Sequence, residues 1–346
     1  MHQSQGQGSH RSEFEAGGGE PRPGEWVGIA ANAKSGRGGG RGGVGRLVAE
    51  LGAYGLGARV VWTPEDRAEL VRQAAQDPAC RCLVAAGGDG TVGALVNEEP
   101  SVPITVLPRG TENLFARYFK LGRDPAHLAA TIARGSRRRI DLGCARERRF
   151  TLMAGIGLDA DVVTRHHLAR VGRAGVMRPT SRTAYVEPVL RASLSYRFPT
   201  LKVRVEDLGR EEDLEGSTAF LFNLPSYALG LPFAPTARAD DGLLDLLVFR
   251  RAGALQALRY LWMVVCGIHL DSDDVEHRRV GRVSLAADEP VPMQLDGDPC
   301  GHVSRVSDGN PLRIEALPGV IDVLVPSAFG LSPGEAAFAG HSSHPA

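Results

Sequence analysis

The segment Cys82-Leu-Val-Ala-Ala-Gly-Gly-Asp-Gly-Thr91 joins a short apolar run to a glycine-rich loop, and a helical pattern follows it to about Glu98. An apolar run bounded by glycines predicts a buried strand. The glycines let the loop turn tightly and bring its N–H groups against phosphate oxygens, and the N-terminus of the following helix favours anions. The segment therefore predicts a strand, a loop and a helix that bind phosphate. The alternative is a plain tight turn in which Thr91 caps the helix.

Strand and helix patterns alternate through the first 140 residues. Thr63-Pro-Glu-Asp66 marks one helix start, because Thr is a good N-cap, Pro suits the first turn and acids favour the positive end of a helix. The strand patterns are Trp26–Ala31, Ala58–Trp62, Cys82–Ala86 and Ile104–Leu107, and further helical patterns cover 44–54, 112–119 and 125–134. Such alternation predicts an α/β domain with a doubly wound parallel sheet.

Three loops follow strands of this sheet, at Asn32–Gly36, Gly87–Thr91 and Pro108–Asn113. Open α/β sheets bind ligands at the carboxyl ends of their strands. The three loops therefore predict a site for a nucleotide or another phosphorylated ligand.

The second half of the chain has a different pattern, with short β-rich runs separated by turns. These runs are Phe150–Met153, Leu201–Glu206, Thr218–Leu224, Leu243–Phe249, Val280–Leu285, Val291–Leu295 and Leu312–Ala316. The pattern predicts an antiparallel β-sandwich, interrupted by a helix over Ala254–Ile268 whose Trp262 and Met263 are assigned to the core. We expect an α/β domain over 26–142 and a β-rich domain over 143–314, with strand 320–326 returning to the first domain and disordered tails at 1–25 and 327–346.

Composition excludes several classes of protein. The chain has 346 residues with 40 Lys plus Arg and 40 Asp plus Glu, and this zero net charge argues against a nucleic-acid binder. No apolar window approaches the length of a membrane-spanning helix, and residues 1–25 do not resemble a secretory signal. The five cysteines are scattered and lack metal-ligand spacing, which is typical of reduced thiols. We therefore expect a cytoplasmic protein.

Glycine is the most over-represented residue, with 43 of 346. The run Gly36–Gly45 contains seven glycines in ten residues, and its composition suits either a flexible spacer or a lid over the nucleotide.

An ordered series of motifs resembles the catalytic domain of the diacylglycerol kinase and sphingosine kinase family of lipid kinases, over nearly all of 26–326. The motifs are Asn32-Ala-Lys-Ser-Gly36, Gly87-Gly-Asp-Gly-Thr91, Pro108-Arg-Gly-Thr-Glu-Asn113, Asp141-Leu-Gly143, Gly155-Ile-Gly-Leu-Asp-Ala160, Asp240-Asp-Gly-Leu-Leu-Asp-Leu246 and Leu295-Asp-Gly-Asp298. The resemblance implies a nucleotide domain like that of phosphofructokinases and NAD kinases. It also implies an enzyme that transfers the γ-phosphate of ATP, with Mg²⁺, to a hydroxyl of a diacylglycerol-like or sphingoid lipid.

The resemblance also implies roles for individual residues. Asp298 matches the general base toward the acceptor hydroxyl, and Asp89 belongs to the phosphate network. Asp241, with the backbone carbonyls of Arg238 and Leu243, matches a magnesium site. The positions that match ATP contacts are Asn32, Ser35, Gly36, Thr63, Gly87, Gly88, Asp89, Gly90, Thr91, Val92, Gly93 and Thr111.

Three positions depart from the family pattern: Ala33 replaces Pro, Leu114 replaces the Asp of many diacylglycerol kinases, and Asp298 replaces Glu. Two other functions therefore stay open. One is a soluble-substrate kinase of the NAD-kinase type, and the other is a catalytically weak protein that binds lipid or nucleotide.

A basic stretch from Arg165 to Arg182 has no acid between 164 and 182. It suits either an anionic membrane surface at the inner face of the membrane or a solvated face of the fold. A homodimer is a further expectation.

Overall fold

The computed structural model describes residues 20–32, 40–170, 195–207, 210–327 and 329. Three predicted features lie wholly or partly outside these ranges: the predicted ATP contacts Ser35 and Gly36, most of the basic stretch, and the predicted tails apart from 20–25, 327 and 329.

The first part of the chain forms the predicted α/β arrangement. Its strands are β1 Trp26–Ala31, β2 Gly57–Val61, β3 Cys80–Gly87 and β4 Ile104–Pro108, and its helices are α1 Gly40–Ala53, α2 Pro64–Gln76, α3 Asp89–Val96, α4 Leu114–Tyr118 and α5 Pro125–Arg134. The strands lie parallel in the order β2-β1-β3-β4. The order reverses between β1 and β3, so their carboxyl ends form the crevice in which such sheets bind ligands.

The start of α2 confirms the N-cap prediction. The Thr63 hydroxyl accepts a hydrogen bond from the Asp66 N–H, and Pro64 occupies the first turn. The cap fixes where the chain leaves β2, and this places Thr63 at the crevice.

The second part forms the predicted antiparallel β-sandwich. Its elements are β5 Ser136–Ala145, β6 Arg148–Phe150, β7 Met153–Ile156, α6 Leu158–Arg170, β8 Leu201–Asp207, β9 Arg210–Gly216, β10 Thr218–Phe222, β11 Leu244–Phe249, α7 Ala254–Cys266, β12 Val275–Val280, β13 Arg282–Ala287, β14 Val291–Leu295, β15 Asp298–Val303 and β16 Leu312–Val325. One sheet has six strands in the order β12-β11-β10-β7-β14-β15. A shared apolar core joins it to β5, β8, β13 and β16 of the facing sheet.

The strand β16 connects the two parts of the molecule. Near its end, Val323 pairs in parallel with Ile104 of β4, while its first half pairs with β13. The facing sheet is therefore one continuous ten-stranded sheet that runs from β2 to β9. The domain limits proposed from the sequence stay a prediction.

Two predicted strands are each broken in two. The run Phe150–Met153 is interrupted because the N–H groups of Thr151, Leu152 and Met153 bind the Asp296 carboxylate, which pulls the chain out of the strand. The run Val280–Leu285 is divided at Gly281, where β12 ends and β13 begins in the other sheet.

The glycine-rich run and the burial of one α7 side chain also differ from expectation. Gly40 to Gly45 belong to α1 rather than to a spacer or lid. A Cβ on Gly43 would overlap the Arg109 guanidinium, so the glycine allows Arg109 to lie directly against α1.

In α7, Met263 is buried as predicted, but Trp262 is 60% exposed, so its assignment to the core is wrong. Among the described residues, no helix is long and apolar enough to cross a membrane.

Candidate functional site

The loops after β3 and β4 are in direct contact at the crevice. The Arg109 N–H donates to the Gly87 carbonyl at 2.7 Å. A Cβ on Gly110 would lie 2.6 Å from the Gly88 Cα, a distance that real side chains do not adopt. Glycine at 110 therefore allows the two backbones to approach this closely, and a Cβ on Gly88 would also be tight, at 3.0 Å from the Gly110 Cα.

Asn113 closes the second loop on itself. Its side-chain oxygen accepts from the Gly110 N–H at 2.8 Å, and its amide donates to the Gly110 carbonyl at 2.7 Å. The residue is buried and has a left-handed backbone, a conformation that Asn tolerates better than most residues. The Asn of the Gly-Thr-x-Asn motif thus has a structural role, because its two hydrogen bonds fix Gly110 beside Gly88.

Asp89 ties the first loop to the second. One of its carboxylate oxygens accepts from the Phe115 N–H at 3.0 Å, and the Leu114 N–H also bonds to the carboxylate. Burial raises the pKa of Asp89 above its ordinary value, and these donors act in the opposite direction. Asp89 therefore positions the start of α4 in addition to any role beside phosphate.

A cleft lies above the carboxyl ends of β1 and β2. It has a volume of about 330 Å³, and its walls include Asn32, Thr63, Gly90 and Thr91. Gly88, the N-cap of α3, has no side chain with which to bond the helix N–H groups, so the first turn of α3 presents a surface suited to phosphate. The structure thus brings four of the predicted ATP contacts around one space.

Some predicted ATP contacts also have structural roles or lie elsewhere. The Thr91 side chain, at the wall of the cleft, packs over Gly87, and the Val92 side chain belongs to the apolar core. The Thr63 hydroxyl donates to the Asp66 carboxylate at 2.8 Å in addition to capping α2. Thr111 is exposed in the loop after β4.

A second cleft of about 240 Å³ continues the first toward the β-sandwich. The two share Arg67, Gly90 and Ala94 as walls, and the second ends at Asp296 and Asp298. The structure therefore brings the glycine loop and the Leu295–Asp298 motif, about 200 residues apart in the chain, to one groove.

Three arginines that the sequence did not single out line this groove. Arg67 pairs with Glu98 at 2.9 Å, Arg148 with Asp298 at 3.3 Å and Arg149 with Glu99 at 3.1 Å. Guanidinium groups favour phosphate, but each of the three is already paired with an acid, so the walls of the groove carry both signs of charge. Arg67 comes from α2 and the other two from β6, and no sequence motif connects the two segments.

The two aspartates of the β14–β15 turn have different environments. The Asp296 carboxylate accepts four hydrogen bonds, from the N–H groups of Thr151, Leu152 and Met153 and from the Thr151 hydroxyl, at 2.7 to 3.0 Å. Burial raises the pKa of Asp296, and the four donors oppose this change. Asp298 is exposed and bonds only to Arg148 among the described residues. Asp296 therefore holds the turn in place, and Asp298 is the carboxylate available to a substrate.

A buried glutamine links this turn to a second acid. The Gln294 side chain accepts from the Gly297 N–H at 2.8 Å and donates to the Asp159 carboxylate at 2.8 Å. Asp159 lies at the wall of an apolar pocket of about 160 Å³. Phe220, Phe233 and Phe249 are among its apolar walls. The sequence indicated Asp159 only as part of a family motif and gave no sign of Gln294.

The environment of Asp159 predicts a pH-dependent effect on stability. Burial raises the pKa of Asp159 to about 6, although Gln294 and Tyr227 bond to the carboxylate and oppose this. The folded protein therefore favours the protonated acid. The contribution of Asp159 to the free energy of unfolding is full below the unfolded pKa near 4, and it is lost as the pH rises through about 6. The change in pKa is worth on the order of 3 kcal/mol.

We expect Asp159→Asn to be more stable than the parent protein at pH 7.5, with the difference shrinking toward zero at pH 4. Chemical denaturation of both proteins at these two pH values measures it. A difference that stays constant between the two pH values would show that Asp159 has an ordinary pKa.

The predicted magnesium residues lie at another place, near β11. The Asp241 carboxylate accepts from the Leu243 N–H at 3.1 Å and also pairs with the Arg279 guanidinium. A carboxylate with two backbone carbonyls is a donor set that Mg²⁺ accepts, but the arginine already neutralises this carboxylate. Arg238 pairs with Asp240 at 3.0 Å. The observed arrangement does not fit a bound cation, and magnesium at this place stays a prediction from the resemblance.

Within the described ranges, no cluster of three or more His, Cys, Asp or Glu is placed to hold a metal.

Comparisons with known proteins find similar domains over both parts of the chain. Residues 27–145 match the family of the diacylglycerol kinase catalytic domain, and residues 154–325 match the YegS C-terminal NAD kinase beta sandwich-like domain. A diacylglycerol kinase of Mycobacterium tuberculosis is 30% identical over 79% of this chain and 89% of the relative. A YegS-like lipid kinase of Chromohalobacter salexigens is 28% identical over 83% of this chain and 89% of the relative.

A solved structure shares the fold. The crystal structure of a diacylglycerol kinase from Bacillus anthracis superposes with a TM-score of 0.65 at 22% identity, over 88% of this chain and 98% of the other. The family matches cover both parts of the chain in order, and they confirm the resemblance stated from its motifs. The chain is therefore a kinase that belongs to the diacylglycerol kinase family.

Proposed function

We propose that the protein transfers the γ-phosphate of ATP to a hydroxyl of a diacylglycerol-like or sphingoid lipid. The observation that carries the proposal is the continuous groove from the glycine loop to Asp298, together with the hydrogen bonds through Gln294 that connect its far end to an apolar pocket. The groove ends at the exposed Asp298, and the buried Gln294 bonds on one side to the turn that carries Asp298 and on the other to Asp159 in the wall of the apolar pocket.

The nucleotide binds in the first half of the groove. Its base and sugar lie against Asn32 and Thr63, and its phosphates reach the first turn of α3 at Gly88 to Gly90. Arg67 and Arg148 face the phosphate chain from the walls of the second cleft and offset its charge. Mg²⁺ bound to ATP supplies further charge neutralisation during phosphoryl transfer.

The acceptor lipid lies on the other side of Asp298. Its chain occupies the apolar pocket, and Asp159 and Tyr227 offer polar atoms to its head. Asp298 accepts the proton of the attacking hydroxyl as the oxygen forms a bond to the γ-phosphorus, and ADP leaves. Asp89 and Asp296 act by positioning the two loops and the turn.

The apolar walls of this pocket favour a lipid acceptor over a dinucleotide, which requires polar groups for its sugars and phosphates. We place the enzyme in the cytoplasm, at the surface of the membrane that contains its acceptor.

Incubation with γ-labelled ATP, Mg²⁺ and separate pure acceptors tests the proposal. We expect label in a chloroform-soluble product with diacylglycerol or a sphingoid base. If NAD is supplied as the acceptor, label in a water-soluble dinucleotide product would favour a soluble-substrate kinase. Binding of ATP with no labelled product would favour a protein that binds without transfer.

A further inference from the structure

Helix α7 exposes an apolar face to solvent. Leu255 is 82% exposed, Trp262 60% and Val265 59%. The face, which we name the α7 apolar face, consists of five helix residues and one residue just after the helix: Leu255, Leu258, Leu261, Trp262, Val265 and Ile268. Soluble proteins rarely leave a large contiguous apolar surface uncovered without a binding role.

The α7 apolar face is continuous with the apolar pocket that contains Asp159. Leu258 and Leu261 are partly exposed on the face and also form walls of the pocket. Tyr260, Met263 and Val264, on the opposite side of the helix, are buried in the fold. A lipid chain can therefore pass from the face into the pocket over the side chains of Leu258 and Leu261 without crossing a polar surface.

The cations near this face are few and already paired, and the acids Asp271 and Asp273 just beyond the helix are exposed. Arg259 is the one charged residue within α7, and it bonds to Asp274 at 3.0 Å. Arg251 also pairs with Asp274, at 2.7 Å, and Arg250 pairs with Glu276. The leucines and the outward tryptophan match the apolar face of a helix that lies in the interface of a bilayer.

We propose that the α7 apolar face docks on a lipid bilayer, with Trp262 and Val265 in the acyl-chain boundary and the pocket mouth opened toward the lipid. The inference rests on the proposed function, because the lipid acceptor is the ligand that such a mouth admits. It commits to apolar docking, which does not require anionic lipid. A second copy of the chain on this face would instead cover the mouth between Leu258 and Leu261 and block entry of the acceptor.

The variant Trp262→Ser/Val265→Ser tests this docking. Both side chains are exposed and neither lines the pocket, so the fold and the pocket keep their structure. We expect binding to neutral phosphatidylcholine vesicles, measured by flotation at low and high salt, to fall at least about tenfold in the variant. Val306→Ser changes an exposed apolar side chain elsewhere and serves as the control that keeps vesicle binding.

Activity assays separate the docking from the proposed function. The variant should phosphorylate a short-chain diacylglycerol dissolved as monomers at the parent rate, and diacylglycerol in vesicles at least about tenfold more slowly. Equal vesicle binding by parent and variant would overturn the docking while leaving the kinase proposal intact. Loss of vesicle binding in the variant, with no lipid phosphorylated by either protein, would support the docking and reject the kinase proposal.

Two further outcomes overturn the docking. One is a parent dimer in lipid-free sedimentation velocity that the variant converts to a monomer, which would assign the face to a second copy. The other is parent binding that requires anionic lipid and is lost in high salt, which would assign membrane contact to basic side chains.

Discussion

Asp298→Asn is expected to lower phosphoryl transfer by about 100- to 10,000-fold, the range typical for loss of a general base. The substitution keeps the size of the side chain and removes its ability to take a proton. The Asp298 side chain is exposed and, within the described part of the chain, bonds only to Arg148. The fold should therefore be unchanged, because exposed ion pairs contribute little to stability. Initial rates with γ-labelled ATP, together with the ATP dissociation constant, measure the effect on transfer separately from binding.

Asp288 offers a matched control for this experiment. Its side chain is 57% exposed against 54% for Asp298, and it pairs with Lys202 at 3.4 Å much as Asp298 pairs with Arg148. Asp288→Asn should retain full activity. Asp298→Glu restores the longer carboxylate of the family pattern and should retain transfer. If Asp298→Asn transfers phosphate at the parent rate, another group must take the proton.

Gly110→Ala is expected to lower kcat/KM for ATP by about 100-fold, because a displacement of about 1 Å at a reacting centre has an effect of this size. The new methyl group would lie 2.6 Å from the Gly88 Cα and 3.0 Å from the Asn113 side-chain oxygen. The backbone of the glycine loop must therefore move away, and the hydrogen bonds that Asn113 makes to Gly110 must lengthen. Steady-state kinetics over a range of ATP concentrations measures the loss.

The control for Gly110 is another glycine with space around it. Gly52 lies within α1, and a Cβ there meets nothing within 4 Å. Gly52→Ala should keep the parent kinetics and gain a little stability, since Ala is the better helix former. Unchanged kinetics in Gly110→Ala would mean that the contact between the two loops does not position the nucleotide.

Features with local causes were predictable from the sequence. The cap of α2 depends on Thr63 and the three residues after it, and the observed helix begins where these residues predict. The loop at Gly87 could be placed because its apolar strand and its helix adjoin it in the chain. The order of the family motifs then allowed Asp298 to be related to this loop before any contact was known.

Features that arise from distant contacts were not predictable. Arg67 and Arg148 face one groove because α2 and the start of β6 converge there, and their local sequences carry no sign of this. Thr151 leaves its strand because Asp296, 145 residues further along the chain, binds its N–H. Trp262 resembles a core residue by type, and only the packing of α7 shows that it points outward. The same limit applies to Gln294, whose role depends on Asp159 and Gly297 at once.

Mass spectrometry of a membrane lipid extract, after incubation with the protein, ATP and Mg²⁺, tests the central claim most directly. The account predicts that one class of lipid with a free hydroxyl gains a single phosphoryl group, that ATP is required, and that Asp298→Asn forms almost none of this product. An extract in which no lipid gains a phosphoryl group, although the protein binds ATP, would contradict the account.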